Sequence, residues 1–494
     1  MKFKIFLLLS LYLTGMIMKL ESTPVINENQ LKIIYRNNGI LNNLKIPPLK
    51  FEFPKIETIS ISPYETLYLY KDNTLPLIHL NLIIEGGILQ ENNEERGLYS
   101  LLLDLWENGG AKGKSGEEIS EMLAELGVEL HFNLQQEFIS IEMYCLKHNF
   151  KQAFQLLEDI LLYPEFSENK LKTLKLRYID SIQRRNDKPD QIAGRKLKEI
   201  MEYPNKITES INKEDIEKIT RDKILKAYKS ILKHRRLHIA LDGDISEIDY
   251  HTIFLNLSQK LGSIEKPFII KDQNIQPSGI KEIKNKIILV KKDVPQAVIV
   301  MGKFLPSYKS YETFPLRIAN YILGGGSFVS KMMREIRVKR GLAYYAYSST
   351  RFGSHYGKFI TASGTNSKQA QETTKIMLDL ISNFENLLTD DDIIIAKDAL
   401  INSHIFEFSN PSKILYLYII EKIYNPPESY IIKYPQIIQQ ISKQEILNIY
   451  NKYFKQNDLW IIIVGPESLK KSLEKLQMKV IIIEPETNVE SIIK

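Results

Sequence analysis

Residues 219–243 read ITRDKILKAYKSILKHRRLHIALDG. Residues 441–465 read ISKQEILNIYNKYFKQNDLWIIIVG and align with the first segment without a gap. In both segments, apolar residues at helical spacing are followed by a short polar turn and an apolar run typical of a strand. The chain is therefore interpreted as an internal duplication, in which each copy closes with a helix and a strand.

Each half begins with strands, continues with helices and further strands, and ends with long helices before its closing unit. Strand runs separated from helix runs are typical of antiparallel sheets with helices on one face. The predicted fold class is α+β. It comprises two homologous domains, each a mainly antiparallel sheet with helices packed on one face.

The N-terminus predicts export. Met1–Lys4 is basic, and the following apolar run Ile5–Met18 matches a secretory signal better than a membrane span, which needs roughly 20 residues. An uncleaved anchor remains an alternative. The predicted organisation is a signal segment at 1–23, an N-terminal extension at 24–55, a first domain at 56–261, a linker at 262–282, a second domain at 283–480 and a tail at 481–494.

Composition restricts the possible classes of function. The 494 residues exceed what one core usually organises, and the net charge of +6 is spread along the chain, which favours a solvated surface over a nucleic-acid groove. Cys145 is the single cysteine, so no disulfide can form within the chain. It lies in an alternating apolar run and is interpreted as a packed strand residue.

Residues 323–349, LGGGSFVSKMMREIRVKRGLAYYAYSS, combine a glycine turn, a basic helix and an aromatic strand. Together with the duplication and the stretches EGGILQENNEERGL (85–98) and YPEFSENKLKTLKLRYIDSIQRRNDKP (163–189), this segment resembles the pitrilysin/insulinase superfamily of zinc peptidases, especially its short two-domain members. The resemblance implies that the two domains form half of a clamshell, which encloses a chamber for small unfolded peptides.

Active members of that superfamily carry His-x-x-Glu-His on the first long helix, where the two histidines bind zinc and the glutamate activates water. The matching positions here are Ser100, Leu103 and Asp104. A third ligand, a glutamate in the family, falls near Asp180 or Ser181. The resemblance therefore implies a degenerate site, with no metal or other cofactor bound by this chain and no classical zinc hydrolysis by it alone.

No substitute site is evident elsewhere. Among the eight histidines, only His234 and His238 have ligand-like spacing, and they span a turn-to-strand junction rather than one helix. The loop NGGAKGKS (108–115) lacks the first glycine of a phosphate-binding loop and follows a helix instead of a strand. Neither segment is interpreted as a functional site.

The second half retains a motif that the first half lacks. Arg337 and Tyr344 match the family's arginine and tyrosine, seven residues apart, that reach across to the zinc site of the other half. The resemblance implies that the tyrosine hydroxyl donates to the substrate carbonyl oxygen and that the arginine holds peptide backbone. It also implies, more weakly, a substrate-handling role for Gly324, Gly325 and Gly326.

These inferences lead to one main hypothesis and two alternatives. The chain is interpreted as a non-catalytic subunit of an exported, periplasmic zinc peptidase, paired with a chain that bears an intact His-x-x-Glu-His motif and holds the zinc. Membrane attachment through the signal segment, or secretion, is the alternative location. The first alternative function is a peptide-binding scaffold, alone or as a homodimer, with no role in hydrolysis. The second is an enzyme with an unorthodox site around Ser100, Asp104 and Asp180.

Overall fold

The computed structural model describes residues 53–92, 94–204, 210–268, 278–454 and 458–493. The predicted signal segment, almost all of the predicted N-terminal extension and the middle of the predicted linker lie outside these ranges. Within them, no helix has both the length and the apolar character that crossing a membrane requires.

The first half contains six strands and eight helices within the described ranges. The strands are β1 (Glu57–Ser62), β2 (Glu65–Lys71), β3 (Leu77–Glu85), β4 (Glu129–Leu134), β5 (Phe138–Leu146) and β6 (Leu237–Gly243). The helices are α1 (Leu98–Asn108), α2 (Gly116–Glu125), α3 (Phe150–Leu162), α4 (Glu168–Arg184), α5 (Pro189–Glu202), α6 (Lys213–Glu217), α7 (Arg221–Lys233) and α8 (Tyr250–Leu261).

The second half repeats this pattern with additional turns. Its strands are β7 (Ile287–Lys291), β8 (Gln296–Leu305), β9 (Ala343–Phe352), β10 (Gly357–Asn366), β11 (Trp460–Gly465) and β12 (Val480–Ile483). Its helices are α9 (Thr313–Asn320), α10 (Ala370–Ser382), α11 (Phe384–Leu387), α12 (Asp390–Phe406), α13 (Pro411–Tyr424), α14 (Tyr430–Gln440), α15 (Lys443–Phe454), α16 (Lys470–Leu473) and α17 (Val489–Ile493). Two π-helical segments, Tyr321–Gly325 and Met333–Val338, lie between α9 and β9.

The two sheets share the order and direction of five strands and differ at one edge, where β1 is antiparallel to β2 but β12 is parallel to β7. The first has the order β1-β2-β6-β3-β5-β4 and the second β12-β7-β11-β8-β10-β9. In each, the strand of the duplicated segment lies between one parallel and one antiparallel neighbour, β6 between β2 and β3, and β11 between β7 and β8. The remaining pairs towards β4 and β9 are antiparallel. The fold class predicted from the sequence, two homologous α+β domains with mainly antiparallel sheets, is confirmed.

Each half has its own core between one face of its sheet and its helices. In the first half this core includes Trp106, whose indole N–H donates to the Ile160 carbonyl oxygen at 2.9 Å. In the second it includes Tyr450, whose hydroxyl donates to the Ile381 carbonyl oxygen at 2.8 Å. Cys145 is buried in β5, as its alternating sequence context predicts, and burial raises the pKa of its thiol to about 12.

The opposite face of each sheet is covered by a helix from the other half. Helix α5 follows the first half's α4 in the chain, but its apolar side packs on β8 and β11 of the second sheet. Helix α13, from the second half, packs on β2 and β6 of the first sheet, where Leu415 and Ile419 are fully buried. The two halves therefore exchange one helix each.

Polar contacts fix α5 in this position. The Tyr345 hydroxyl donates to the Asp190 carboxylate, and Lys358 pairs with the buried Glu202. The Lys196 ammonium, fully buried, donates to the Thr487 carbonyl oxygen at 2.6 Å. Buried charges are costly unless they are paired and hydrogen-bonded, so these contacts favour the observed position of α5 over others.

The exchange predicts that core truncation on α13 destabilises the whole chain. Ile419→Ala should lower the free energy of unfolding by about 2–5 kcal/mol, because it leaves a cavity between α13 and the first sheet. Chemical denaturation followed by circular dichroism measures this change. The matched control is Ile432→Ala, on α14 with 59% of its side chain exposed, which should change stability by about 0.5 kcal/mol or less. Equal effects of the two substitutions would contradict the packing described here.

Candidate functional site

Helix α1 carries the positions of the degenerate metal motif and is held firmly at its start. The Glu91 carboxylate accepts hydrogen bonds from the backbone N–H groups of Gly97 and Tyr99, at 3.2 and 2.6 Å. A carboxylate at a helix N-terminus satisfies free N–H groups and complements the helix dipole. Glu91 thus fixes the N-terminal end of α1, and the motif positions lie in the turns that follow.

The three motif positions have different environments. Leu103, where the family has its catalytic glutamate, is buried in the first core. Ser100 and Asp104, where the family has histidines, are half-buried. They lie one turn apart on one side of the helix, as positions four residues apart do. The backbone therefore has the arrangement that a zinc helix needs, but the side chains are different.

Asp104 is paired with helix α4. The Arg177 guanidinium donates to the Asp104 carboxylate, with 2.9 Å between Nη2 and Oδ2. Burial raises the pKa of the neighbouring Tyr178 phenol, and the charge of Asp104, which accepts a hydrogen bond from that phenol, raises it further. A guanidinium thus neutralises this carboxylate at the point where the family places a metal ligand.

The predicted third position does not complete a site. The Asp180 carboxylate accepts a hydrogen bond from Arg184 Nε at 3.1 Å, along the exposed side of α4, and Ser181 is exposed. The residues of α4 that contact Asp104 are Arg177 and Tyr178, one turn earlier. Across the described ranges, no group of three or more histidine, cysteine, aspartate or glutamate side chains is placed to hold a metal ion.

The other segments considered from the sequence have ordinary structural contacts. His234 Nδ1 lies 2.9 Å from the Lys266 carbonyl oxygen, at the end of α7. His238, on β6, contacts the Tyr68 hydroxyl and the Glu85 carboxylate at 3.2 and 2.9 Å. In the loop 108–115, the Ser115 side chain caps helix α2 in a capping box.

Arg337 and Tyr344 are brought together by the π-helical segment and the strand that follows it. The Arg337 guanidinium lies 4.8 Å from the centre of the Tyr344 ring and 5.1 Å from the Phe328 ring. A cation between two aromatic faces is held by electrostatic attraction to both rings. Tyr344 is 79% exposed and Phe328 57% exposed, so this cation–aromatic stack, Phe328–Arg337–Tyr344, projects from the surface.

A β-bulge orients Tyr344. Ala343 pairs with Thr365 and Tyr345 pairs with Gly364, so Tyr344 is the extra residue on β9. β9 is also the edge strand of its sheet. Bulges are common beside active sites, where they re-aim one side chain and bend the strand. The π-helical segments before β9 fit the same interpretation, since π turns are frequent at functional sites.

The three predicted glycines pack the turn before β9 against its neighbours. A Cβ atom on Gly324 would lie 2.3 Å from the Ser348 backbone nitrogen, so only glycine permits this approach to β9. Gly325 and Gly326 lie against Asn320 and Tyr321 in a similar way. Gly324 thus allows close packing of the turn on β9, and Gly325 and Gly326 allow close packing within the turn itself.

Two residues of these sites were not identified from the sequence. Phe328 lies inside the quoted motif, but a lone aromatic after a glycine turn carries no signal of stacking on Arg337. Arg177 lies in a helix rich in basic residues, and its pairing with Asp104 links positions that are distant in the chain. Neither contact has a signature in local periodicity.

Comparisons with known proteins agree with this geometry. Residues 68–214 match the family described as insulinase (peptidase family M16), and residues 218–400 match the family described as peptidase M16 inactive domain. The chain is similar to a Helicobacter pylori protein named non-peptidase homolog YmxG, with 24% identity over 416 residues that cover 82% of this chain and 92% of the relative.

Solved structures show the same fold. A peptidase M16 inactive domain from Pseudomonas fluorescens superposes with a TM-score of 0.74 at 22% identity, and the match covers 84% of this chain and 98% of that one. The periplasmic protease PqqL from Escherichia coli gives a TM-score of 0.69 at 13% identity, covering 90% of this chain and 51% of that one.

The contact between Glu91 and α1 predicts a pH dependence. Burial raises the pKa of the Glu91 carboxyl from 4.5 to about 7, although the two N–H donors oppose the shift. Because this pKa is higher in the folded state than in the unfolded state, protonation of Glu91 stabilises the folded chain. This contribution is fully present below pH ~4.5 and is lost as the pH rises through ~7. Between pH 4.5 and 8, the free energy of unfolding of Glu91→Gln should therefore rise by about 3 kcal/mol relative to the unmodified chain. Denaturant titrations of both chains measure the difference, and a constant difference across this range would contradict the assignment.

Proposed function

Because this chain belongs to the insulinase family, peptidase family M16, we propose that it is a peptidase-like subunit that is inactive alone and acts in trans on the site of a zinc-bearing partner. Its contribution is the exposed pair Arg337 and Tyr344. The Helicobacter relative named a non-peptidase homolog supports the loss of independent activity. The substrate class that this proposal implies is an unfolded peptide.

The observation that carries the proposal is the contrast between the two motifs. Asp104 is neutralised by Arg177 within the first half. Tyr344, by contrast, is 79% exposed on a bulged edge strand and contacts Arg337 through its ring face. Tyrosine, phenylalanine and arginine are enriched at protein interfaces, so the exposed Phe328–Arg337–Tyr344 stack is suited to meeting a ligand or partner.

The chemistry of the pair suits peptide hydrolysis at a partner's site. Zinc on the partner would polarise the scissile carbonyl and activate water. The Tyr344 hydroxyl would donate a hydrogen bond to the carbonyl oxygen as negative charge develops on it. The Arg337 guanidinium would donate to carbonyl groups of the bound peptide backbone. Preorganised donors of this kind stabilise the transition state without reorganising when the reaction occurs.

We further propose that the chain is exported, most simply to a periplasm. The basic start and apolar run at residues 1–18 support this location. The Escherichia coli protein of the same fold is described as periplasmic. If the apolar segment is cleaved after export, the subunit is free. If it is retained, the subunit is attached to the membrane.

The peptide-binding scaffold is the second candidate, and the sheet edges support it. β4 and β9 are edge strands, and an edge strand offers unpaired backbone groups that an extended peptide can join. A chain that purifies alone, without zinc or peptidase activity, and binds unfolded peptide would favour this candidate. A co-purifying chain of similar size, about one zinc per pair and chelator-sensitive activity would favour the subunit.

The trans-acting role predicts a selective loss of activity. With the zinc-bearing partner, Tyr344→Phe should reduce kcat by about 10²–10³-fold, because one hydrogen-bond donor to the developing oxyanion is removed. The matched control is Tyr347→Phe, an exposed tyrosine on the same strand, which should retain full activity. Peptide hydrolysis by the reconstituted pair measures both. Undiminished activity with Tyr344→Phe or Arg337→Ala would refute the proposal.

A further inference from the structure

A second polar site lies in the second half, in a cleft of about 330 Å³. Its walls come from helices α9, α12 and α14, the π-helical segment 321–325 and strand β9. Tyr321, Tyr430 and Tyr434 provide aromatic surface, and Arg317 and His404 provide polar groups. The volume is in the range of pockets that bind small ligands.

Arg317 is a cation without a counter-ion in this cleft. Its guanidinium lies 4.9 Å from the ring centres of both Phe352 and Tyr430, which fixes the plane of the group. Within the described ranges, Arg317 makes no side-chain hydrogen bond or ion pair, and its Nε atom is buried without a partner. Glu407, the acidic residue lining the cleft, is paired with Lys413 at 2.8 Å. The exposed edge of a guanidinium held in this way is suited to a carboxylate.

His404 adds an unpaired acceptor. The side chain is 3% exposed, and its Nε2 lies 3.1 Å from the Ile431 carbonyl oxygen. Since a carbonyl oxygen only accepts, Nε2 carries the hydrogen, and burial lowers the pKa of the ring, which favours its neutral form. Nδ1 is therefore a lone-pair acceptor, and it has no partner among the described residues. A buried acceptor of this kind is normally paired with an N–H or O–H donor.

The position of the cleft in the duplicated fold is informative. Helix α9 follows β8 as α1 follows β3, and α12 occupies the place of α4 in the order of elements. In the first half, the space between the equivalent helices is bridged by Asp104 and Arg177. In the second half, the corresponding space is the open cleft, and Arg317 has no carboxylate partner among the residues that the structure describes.

We propose that this cleft binds the α-carboxylate of an amino acid or of a peptide C-terminus together with the N–H group on the same residue. The carboxylate would accept hydrogen bonds from the Arg317 guanidinium, and the N–H group would donate to His404 Nδ1. The tyrosine rings would contact the side chain of that residue, which favours an apolar or aromatic one. The inference is independent of the trans-acting role of Arg337 and Tyr344, and it is tested on this chain without a partner.

Binding of three probes to the full chain, measured by titration calorimetry, tests the proposal. The probes are an N-acetylated tripeptide ending in phenylalanine as the free acid, the same tripeptide as its C-terminal amide, and free phenylalanine. The free acid should bind at least about tenfold more tightly than the amide, because the amide lacks the charge that pairs with Arg317. Binding of free phenylalanine as tight as that of the tripeptide acid would assign the site to amino acids, and weaker binding would assign it to peptide C-termini.

Variants locate the site. Arg317→Gln should weaken binding of the acid at least about tenfold and leave the amide unchanged, since only the carboxylate contact is lost. The matched control is Arg351→Gln, an exposed arginine on β9, which should leave both affinities unchanged. If Arg317→Gln fails to fold, the comparison of acid and amide on the unmodified chain still decides. Equal affinity for acid and amide, no binding of any probe, or full binding by folded Arg317→Gln would overturn the proposal.

Discussion

The exchange of helices between the halves holds the two sheets together. Each sheet buries one face under its own helices, and a helix from the opposite half packs on the other face. A sheet with one bare apolar face would expose a large patch to water, which soluble proteins avoid. Neither half is therefore a complete domain in the energetic sense, although each has its own sheet and core. The relative position of the two motifs follows from this mutual burial.

Much of the architecture could be predicted from periodicity. The helix–strand segments 219–243 and 441–465 occupy equivalent places in the two sheets, because the same apolar pattern fills the same kind of position. The exchange could not be predicted. The apolar side of α5 shows that the helix packs on something, but the spacing of its residues does not identify the sheet that receives it. The choice of sheet depends on contacts such as Tyr345 with Asp190, between residues far apart in the chain.

In the candidate sites, too, some features could be predicted from the sequence, and others depend on contacts between residues far apart in the chain. The spacing of Arg337 and Tyr344 and their sequence context led to the prediction that they act together. In the structure, the Arg337 guanidinium lies over the Tyr344 ring. The bulge that orients Tyr344 depends on pairing with β10 and is invisible in one strand's sequence. Likewise, the identities of Ser100, Leu103 and Asp104 showed that the metal ligands were missing. That Arg177 neutralises Asp104 follows only from the packing of α1 against α4.

The exchange also constrains when the chain can fold. Strand β6 ends at Gly243, but the helix that covers the outer face of its sheet begins only at Pro411. While the chain is being synthesised, the outer face of the first sheet stays exposed until most of the second half has been made. Contacts between such distant segments close slowly, and exposed apolar surface in the interval favours aggregation. Folding of this protein is therefore a late event along the chain, and either half expressed as a separate gene product would lack the helix that completes its sheet.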